Sequence, residues 1–268
     1  MASAHIDTFA RDRLPPVELQ PQFVFDLPQL KFPAQLNCAT ELLDRHIEQG
    51  RGDRICLRAP GIQWTYRDLY ERANRIAHVL VQEMGVVPGN RVLLRAPNHP
   101  MLVACWFAVI KVGAIAVATM PLLRSKELQD IVRIAQIGHA LCDARLLDDL
   151  SDAASRCESL RQVVCFNGDA PDVLEQRMQR HPNSFTNADT AADDTCLLGF
   201  TSGTTGVPKA TMHFHRDVMA ACECWPPHVL LSLIHISRAA SASATRTCAC
   251  VIVNGSKTTS AGLPGAKA

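Results

Sequence analysis

The sequence predicts an α/β fold in which helices cover both faces of a mainly parallel sheet. Short apolar segments rich in β-branched residues alternate along the chain with longer segments of helical period. Glycine and proline separate most of these segments, and 47% of the 268 residues are apolar, which is enough for a large buried core. Strands that alternate with helices in this way pair in parallel through helical crossovers.

The elements are predicted in order after an irregular opening stretch that is rich in proline. The predicted strands are residues 54–59, 62–64, 91–94, 114–119, 139–142, 162–166 and 196–200. The predicted helices are residues 40–50, a helix capped by Thr65 and stopped by Gly85, one that begins at Met101, residues 125–136, and a charged segment between the fifth and sixth strands. Thr65 and Asp68 have the spacing of a capping box.

A long apolar run covers residues 101–121 and resembles a membrane span at first sight. Lys111 would lie at its centre, where a charge costs about 2.5–3.5 kcal/mol on insertion scales. Gly113 divides the run into a helix-length first half and a β-branched second half. The run therefore predicts a buried helix followed by a buried strand, and no membrane span.

The charge and the cysteine content exclude several kinds of function and location. A formal net charge of +1 provides no basic field for nucleic acid or an anionic membrane. The N-terminal residues have no apolar stretch of the kind that a secretory signal needs, so the 11 cysteines predict a reducing, cytoplasmic setting. The closest cysteine pairs, Cys222/Cys224 and Cys248/Cys250, do not have the spacing typical of a zinc site, and no metal site is predicted.

The composition changes abruptly near Leu230. All 26 acidic residues precede residue 231, whereas the last 38 residues contain four Lys or Arg and are nearly half Ser, Ala and Thr. This pattern predicts one α/β unit over residues 1–230 and a weakly packed or non-native tail over residues 231–268. An ordinary flexible C-terminus is the alternative.

The segment LLGFTSGTTGVPK, residues 197–209, carries the chemistry. An apolar strand leads into a loop of glycines and hydroxyl side chains that ends on Lys209. Glycine lets backbone N–H groups approach phosphate oxygens, hydroxyls add donors, and lysine adds a positive charge. A polyphosphate cradle is the functional interpretation, and a solvated connector is the structural one. The spacing fits neither the Walker loop nor the dinucleotide fingerprint.

Thr201-Ser-Gly-Thr-Thr-Gly-Val-Pro-Lys209 resembles the signature loop of the adenylate-forming superfamily, which includes acyl- and aryl-CoA ligases. Ala210 replaces a glycine that is common there. The resemblance extends over residues 32–230 and implies part of the large N-terminal domain of such an enzyme. Segments at Met120, His139 and Glu223 are most similar to the branch that activates benzoate and 2-aminobenzoate.

The resemblance implies an AMP-forming acid:CoA ligase that uses ATP, Mg²⁺, CoA and a small, aromatic carboxylic acid. It assigns phosphate binding to Thr201, Ser202, Gly203, Thr204, Thr205, Gly206 and Lys209. The family's adenine-, ribose- and magnesium-binding segments and its catalytic lysine are not matched, so no catalytic residue is assigned and the chain is expected to be an inactive fragment. A nucleotide-binding module without turnover and a kinase-like enzyme are the alternatives.

Two histidines follow the loop closely. His213 and His215 suggest a general base, but adenylation needs none because the attacking carboxylate is already ionised. We therefore expect both to lie at a helix start that packs beneath the loop.

Overall fold

The computed structural model describes residues 3–201 and 208–225. Its strands are β1 (Ile55–Ala59), β2 (Ile62–Thr65), β3 (Arg91–Arg95), β4 (Ile115–Thr119), β5 (His139–Asp143), β6 (Gln162–Phe166), β7 (Thr195–Thr201) and β8 (Lys209–Phe214). Six of them form one sheet in the order β6-β5-β3-β4-β7-β8, in which only β8 is antiparallel to its neighbour. The prediction of a mainly parallel sheet is confirmed. β1 and β2 form a separate antiparallel pair.

The helices fill the connections between strands. They are α1 (Arg45–Glu48), α2 (Tyr66–His78), α3 (Pro100–Lys111), α4 (Ser125–Ala135), α5 (Leu147–Ser155), α6 (Leu174–Met178) and α7 (His215–Trp225). Two π-helical turns, Thr40–Asp44 and Val79–Glu83, precede α1 and follow α2. Short 3₁₀ turns cover Arg11–Arg13, Val17–Leu19, Pro28–Leu30 and Ala144–Leu146.

The parallel strands have a hydrophobic core on each face. On β3, Val92 and Leu94 belong to the core that contains α2 and α3, whereas Leu93 belongs to the core that contains α4 and α5. This alternation follows from the twofold side-chain period of a strand. Helices therefore cover both faces of the sheet, as the sequence predicts.

The capping box of α2 forms as predicted. The Asp68 backbone N–H donates to Thr65 Oγ1 at 3.1 Å, and the Thr65 N–H donates to Asp68 Oδ2 at 2.9 Å. The aspartate thus takes the place of the more usual glutamate. Beyond the cap, the apolar stripe is completely buried at Leu69, Ala73 and Ile76 of the helix and at Leu80 of the π-helical turn that follows it.

The apolar run at residues 101–121 becomes α3 followed by β4. Lys111 ends the helix with no exposed surface, forms an ion pair with Asp44 and donates to Asn187 Oδ1 at 3.2 Å. Gly113 then turns the chain with a φ of 71°. Among the helices of the described residues, none has the length and apolar character to cross a membrane.

The composition boundary at Leu230 and the segment 231–268 lie outside the described residues. The division of the chain into residues 1–230 and 231–268 therefore stays a prediction.

Candidate functional site

The two ends of the signature segment lie on the paired antiparallel strands β7 and β8. Thr201 is the last residue of β7 and pairs with Lys209, the first residue of β8. The Thr201 hydroxyl donates to the Lys209 carbonyl at 3.5 Å. The hairpin thus brings the first and last predicted phosphate-binding residues together. The other five, Ser202, Gly203, Thr204, Thr205 and Gly206, lie outside the described residues.

The strand is longer than the sequence predicts. β7 extends over Thr195–Thr201, one residue beyond each end of the predicted segment 196–200. Thr201 is therefore a strand residue and not the first residue of a loop. Pairing with β8 explains this difference, because the partner strand extends the ladder to the end of the hairpin.

The positive charge of Lys209 is exposed at this end of the hairpin. Within the part of the chain that the structure describes, no carboxylate forms an ion pair with it. A lysine at the exposed end of a strand without an acidic partner is available to an anionic ligand.

A polar face continues from Lys209 along the hairpin. Lys209, Thr211 and His213 alternate along β8 and so share one face of the strand. The Thr211 hydroxyl lies 3.1 Å from the Gly199 carbonyl and 3.1 Å from His213 Nε2. A Cβ atom on Gly199 would lie only 3.0 Å from the Thr211 hydroxyl, so glycine at this position makes room for the polar side chains of β8.

The two histidines after the loop differ in position. His215 begins α7 and is 1% exposed, and its Nδ1 accepts a hydrogen bond from the Cys38 N–H at 3.2 Å. Burial lowers the pKa of His215 to about 3, so its ring is neutral. The packing role predicted for His215 is confirmed. For His213 the predicted helix start is wrong, because antiparallel pairing with Leu197 places it in β8.

The carboxyl ends of the parallel strands also carry buried charged groups that the sequence did not identify. At the end of β3, Arg95 is completely buried and donates to backbone carbonyls that include Leu123 O at 2.8 Å. At the end of β5, the Asp143 carboxylate accepts from Arg145 and Asn167. These partners lower the pKa of Asp143 against the opposing effect of burial. Both groups hold loops in place at the edge where Thr201 lies.

A cavity of about 490 Å³ lies at the opposite edge of the sheet. Its lining includes Arg91, His139 and Gln162, the first residues of β3, β5 and β6. In parallel α/β sheets, ligands bind outside the carboxyl ends of the strands. The candidate site is therefore placed at the end of β7 on the basis of its chemistry and position, not of this cavity.

Comparison with known proteins identifies the class. Residues 43–260 match the family model described as AMP-binding enzyme, and the chain belongs to that family. The matched range includes most of the segment that follows Leu230.

Two similar proteins are CoA ligases from one organism. The chain is 30% identical over 197 residues to the 3-hydroxybenzoate–CoA/4-hydroxybenzoate–CoA ligase of Thauera aromatica, covering 72% of this chain and 38% of that protein. It is 27% identical over 203 residues to the benzoate–CoA ligase of the same organism, covering 76% of this chain and 38% of the relative. The chain thus spans little more than a third of the length of these relatives.

The fold has solved counterparts. The structure of the anthranilate CoA ligase AuaEII in complex with anthranoyl-AMP matches with a TM-score of 0.70 and 25% identity, over 76% of this chain and 38% of that one. The N-terminal domain of FACL13 from Mycobacterium tuberculosis, bound to an inhibitor, matches with a TM-score of 0.63 and 25% identity, over 71% of this chain and 47% of that one. The described residues therefore have the fold of part of the N-terminal domain of adenylate-forming enzymes.

Proposed function

We propose that this chain carries the ATP-phosphate-binding part of an AMP-forming acid:CoA ligase. In the proposal, Thr201, Ser202, Gly203, Thr204, Thr205, Gly206 and Lys209 bind the β- and γ-phosphates. The observation that carries it is the paired position of Thr201 and Lys209 at an exposed hairpin end, in a chain of the AMP-binding enzyme family. An exposed cation beside hydroxyl and glycine residues fits a polyphosphate.

The proposed reaction has two steps. A substrate carboxylate oxygen attacks the α-phosphorus of ATP, and the bond to the bridging oxygen breaks to release pyrophosphate and an acyl-adenylate. The CoA thiol then loses its proton and attacks the acyl carbon, AMP departs and a thioester remains.

Lys209 contributes to the first step through charge. Negative charge grows on the departing pyrophosphate, and a cation held next to it lowers the energy of the transition state. The first step needs no protein base because the attacking carboxylate is already ionised. Mg²⁺, when bound with ATP, would neutralise further phosphate charge. None of the described residues is assigned to Mg²⁺.

For the acid, we propose an aromatic carboxylate. The named activities of the similar proteins concern hydroxybenzoate, benzoate and anthranilate, which are all aromatic acids. The identities of 25–30% make this a proposal about the class of acid and not about one compound.

The test measures AMP formed from ATP and CoA with benzoate, 2-aminobenzoate, acetate and a medium-chain fatty acid in turn. It is run on the 268-residue chain and on a longer chain in which the tail predicted to be non-native, residues 231–268, is replaced by the sequence that another reading frame encodes beyond the codon for Leu230. This second chain is referred to as the extended chain. We expect nucleotide binding by both chains and acid-dependent AMP formation by the extended one, with the two aromatic acids preferred.

Other products would contradict the proposal. ADP together with a phosphorylated acid would indicate a kinase-like enzyme. ATP binding without AMP formation in either chain would indicate a nucleotide-binding module. Preference for the fatty acid would overturn the aromatic assignment while leaving the ligase class intact.

A further inference from the structure

Three side chains of the types that bind metals meet inside the protein behind β7. They are Cys38, Cys196 and His215, and their ligand atoms all lie within 4.8 Å of one another. Their exposed fractions are 0%, 0% and 1%. Cys38 precedes the first π-helical turn, Cys196 lies in β7, and His215 begins α7. The cluster therefore joins three segments that are far apart in the sequence.

The distances are close to those of a coordination sphere. His215 Nδ1 lies 3.3 Å from Cys38 Sγ, and Cys196 Sγ lies within 4.8 Å of both atoms. In a tetrahedral zinc site with Zn–S near 2.3 Å and Zn–N near 2.0 Å, neighbouring ligand atoms are about 3.5–3.8 Å apart. Shifts of about 1 Å or less would bring the three ligands onto one ion.

The histidine already has the tautomer that a metal requires. Because the Cys38 N–H donates to Nδ1 at 3.2 Å, Nδ1 is unprotonated and the ring proton lies on Nε2. Metal binding would replace this hydrogen bond, because Nδ1 has only one lone pair. Nε2 is buried and has no hydrogen-bond partner among the described residues. The side chain therefore presents an unprotonated nitrogen to the two sulfurs.

The charge balance favours a divalent ion. Zn²⁺ with two thiolates and one neutral imidazole has no net charge, which suits an interior without water. On binding, the two thiols release two protons. Burial raises the pKa of the Cys38 thiol, so in the absence of metal this thiol is a protonated group and not a reactive thiolate.

We propose that Cys38, Cys196 and His215 form a structural zinc site. These side chains supply three of the four positions of a tetrahedral zinc site. The bound ion would join the segment before α1, the strand that leads into the signature segment and the helix that follows it. Zinc would thereby stabilise the strand and the helix that flank the candidate phosphate site.

The test is a titration of the metal-free 268-residue chain with Co²⁺, whose thiolate charge-transfer and tetrahedral d–d bands report sulfur ligands directly. We expect one equivalent to bind with both sets of bands, and Zn²⁺ to displace it. Cys196→Ala and His215→Asn should weaken Co²⁺ binding about a hundredfold. Cys105→Ala removes another completely buried thiol of the same core and should bind like the original chain.

Two further measurements keep the test decisive when a variant fails to fold. The original chain is titrated on its own, and absence of the charge-transfer bands there would overturn the proposal. C248S/C250S, which alters a cysteine pair outside the described residues, should keep the bands; their loss would place the metal at that pair instead. An intact mass two hydrogens lower with a Cys38–Cys196 crosslink, in protein prepared without reductant, would show a disulfide and also overturn the proposal.

Discussion

At the scale of single residues, Lys111 shows how a charge is accommodated in the interior. Its ammonium group has no exposed surface, and it is held by Asp44, Asn187 and the ring of Tyr70, whose centroid lies 4.8 Å away. Burial lowers the pKa of Lys111, while Asp44 opposes that shift. The sequence placed Lys111 in a buried helix but gave no sign of its partner, because Asp44 is 67 residues earlier.

Asp44→Ala should lower the free energy of unfolding by about 3–5 kcal/mol, because it leaves a buried cation without a countercharge. Asp53→Asn removes the carboxylate of an exposed ion pair with Arg67 and should cost about 1 kcal/mol or less. Urea denaturation of the two variants provides the comparison. Equal losses would show that the Lys111 pair contributes no more than a surface pair.

His46 gives a prediction about pH. It is 5% exposed and stacks on Tyr66 with ring centroids 4.0 Å apart, and burial together with Arg51 and Arg54 lowers its pKa to about 4. The unfolded chain gains a proton near pH 6.5, and the folded chain only near pH 4. The contribution of the neutral His46 ring to the free energy of unfolding is therefore complete above pH 6.5. It is lost as the pH falls from 6.5 to 4.

Between pH 6.5 and 4 the original chain should lose about 3 kcal/mol more stability than His46→Phe, which keeps a stacked ring without a titrating group. The free energy of unfolding is measured at each pH for both chains. Parallel curves would mean that His46 gains its proton equally in the folded and unfolded states.

At the scale of elements, the turn between α3 and β4 depends on Gly113. Its φ of 71° is unfavourable for residues with a side chain, and a Cβ atom there would lie 2.9 Å from Ala188 Cβ. Gly61 has a similar φ of 72° but no atom within 4 Å of the added carbon. Substitution of Gly61 therefore tests backbone strain alone, whereas substitution of Gly113 tests backbone strain together with steric overlap.

Gly61→Ala should cost about 1–2 kcal/mol from backbone strain alone. Gly113→Ala should cost about 2–4 kcal/mol, because overpacking adds to the same strain. The midpoints of thermal or urea unfolding test this order. An equal loss of stability at the two positions would show that the residues around Ala188 move aside for the added Cβ atom without any loss of stability.

Local patterns predicted the elements better than their ends. The cap at Thr65, the turn at Gly113 and the helix predicted over residues 125–136 all depend on neighbouring residues, so the sequence contains their signals. The π-helical turn Thr40–Asp44 and the strand position of His213 depend on tertiary packing and on pairing with β7. Periodicity within one segment does not contain that information.

At the scale of the whole molecule, the class of fold followed from alternation, but the strand order did not. The sequence predicted strands separated by helices, which implies parallel pairing. The central position of β3 and β4, and the antiparallel edge at β8, depend on contacts between distant segments. The same limit applies to Cys38, Cys196 and His215, because cysteine spacing rules detect only near neighbours and His215 follows Cys38 by 177 residues.

The candidate site was predicted in part. A run of glycine, hydroxyl and lysine residues is a local signal, and the structure pairs Thr201 with Lys209 at its two ends. The charged groups Arg95 and Asp143 were missed because each becomes buried only when parallel strands bring their carboxyl ends to one edge. In the sequence, Arg95 and Asp143 are isolated charged residues with no local pattern that distinguishes them from ordinary surface charges.

Calorimetric titration with magnesium ATP and with tripolyphosphate measures the contribution of Lys209 to phosphate binding. Lys209→Ala should bind both ligands about tenfold more weakly than the original chain at an unchanged melting temperature, since one charge-assisted contact is lost and no core residue is altered. Lys126→Ala, which alters an exposed lysine of α4, should bind as the original chain does. Equal affinity of Lys209→Ala and the original chain for both ligands would show that Lys209 does not bind the phosphates.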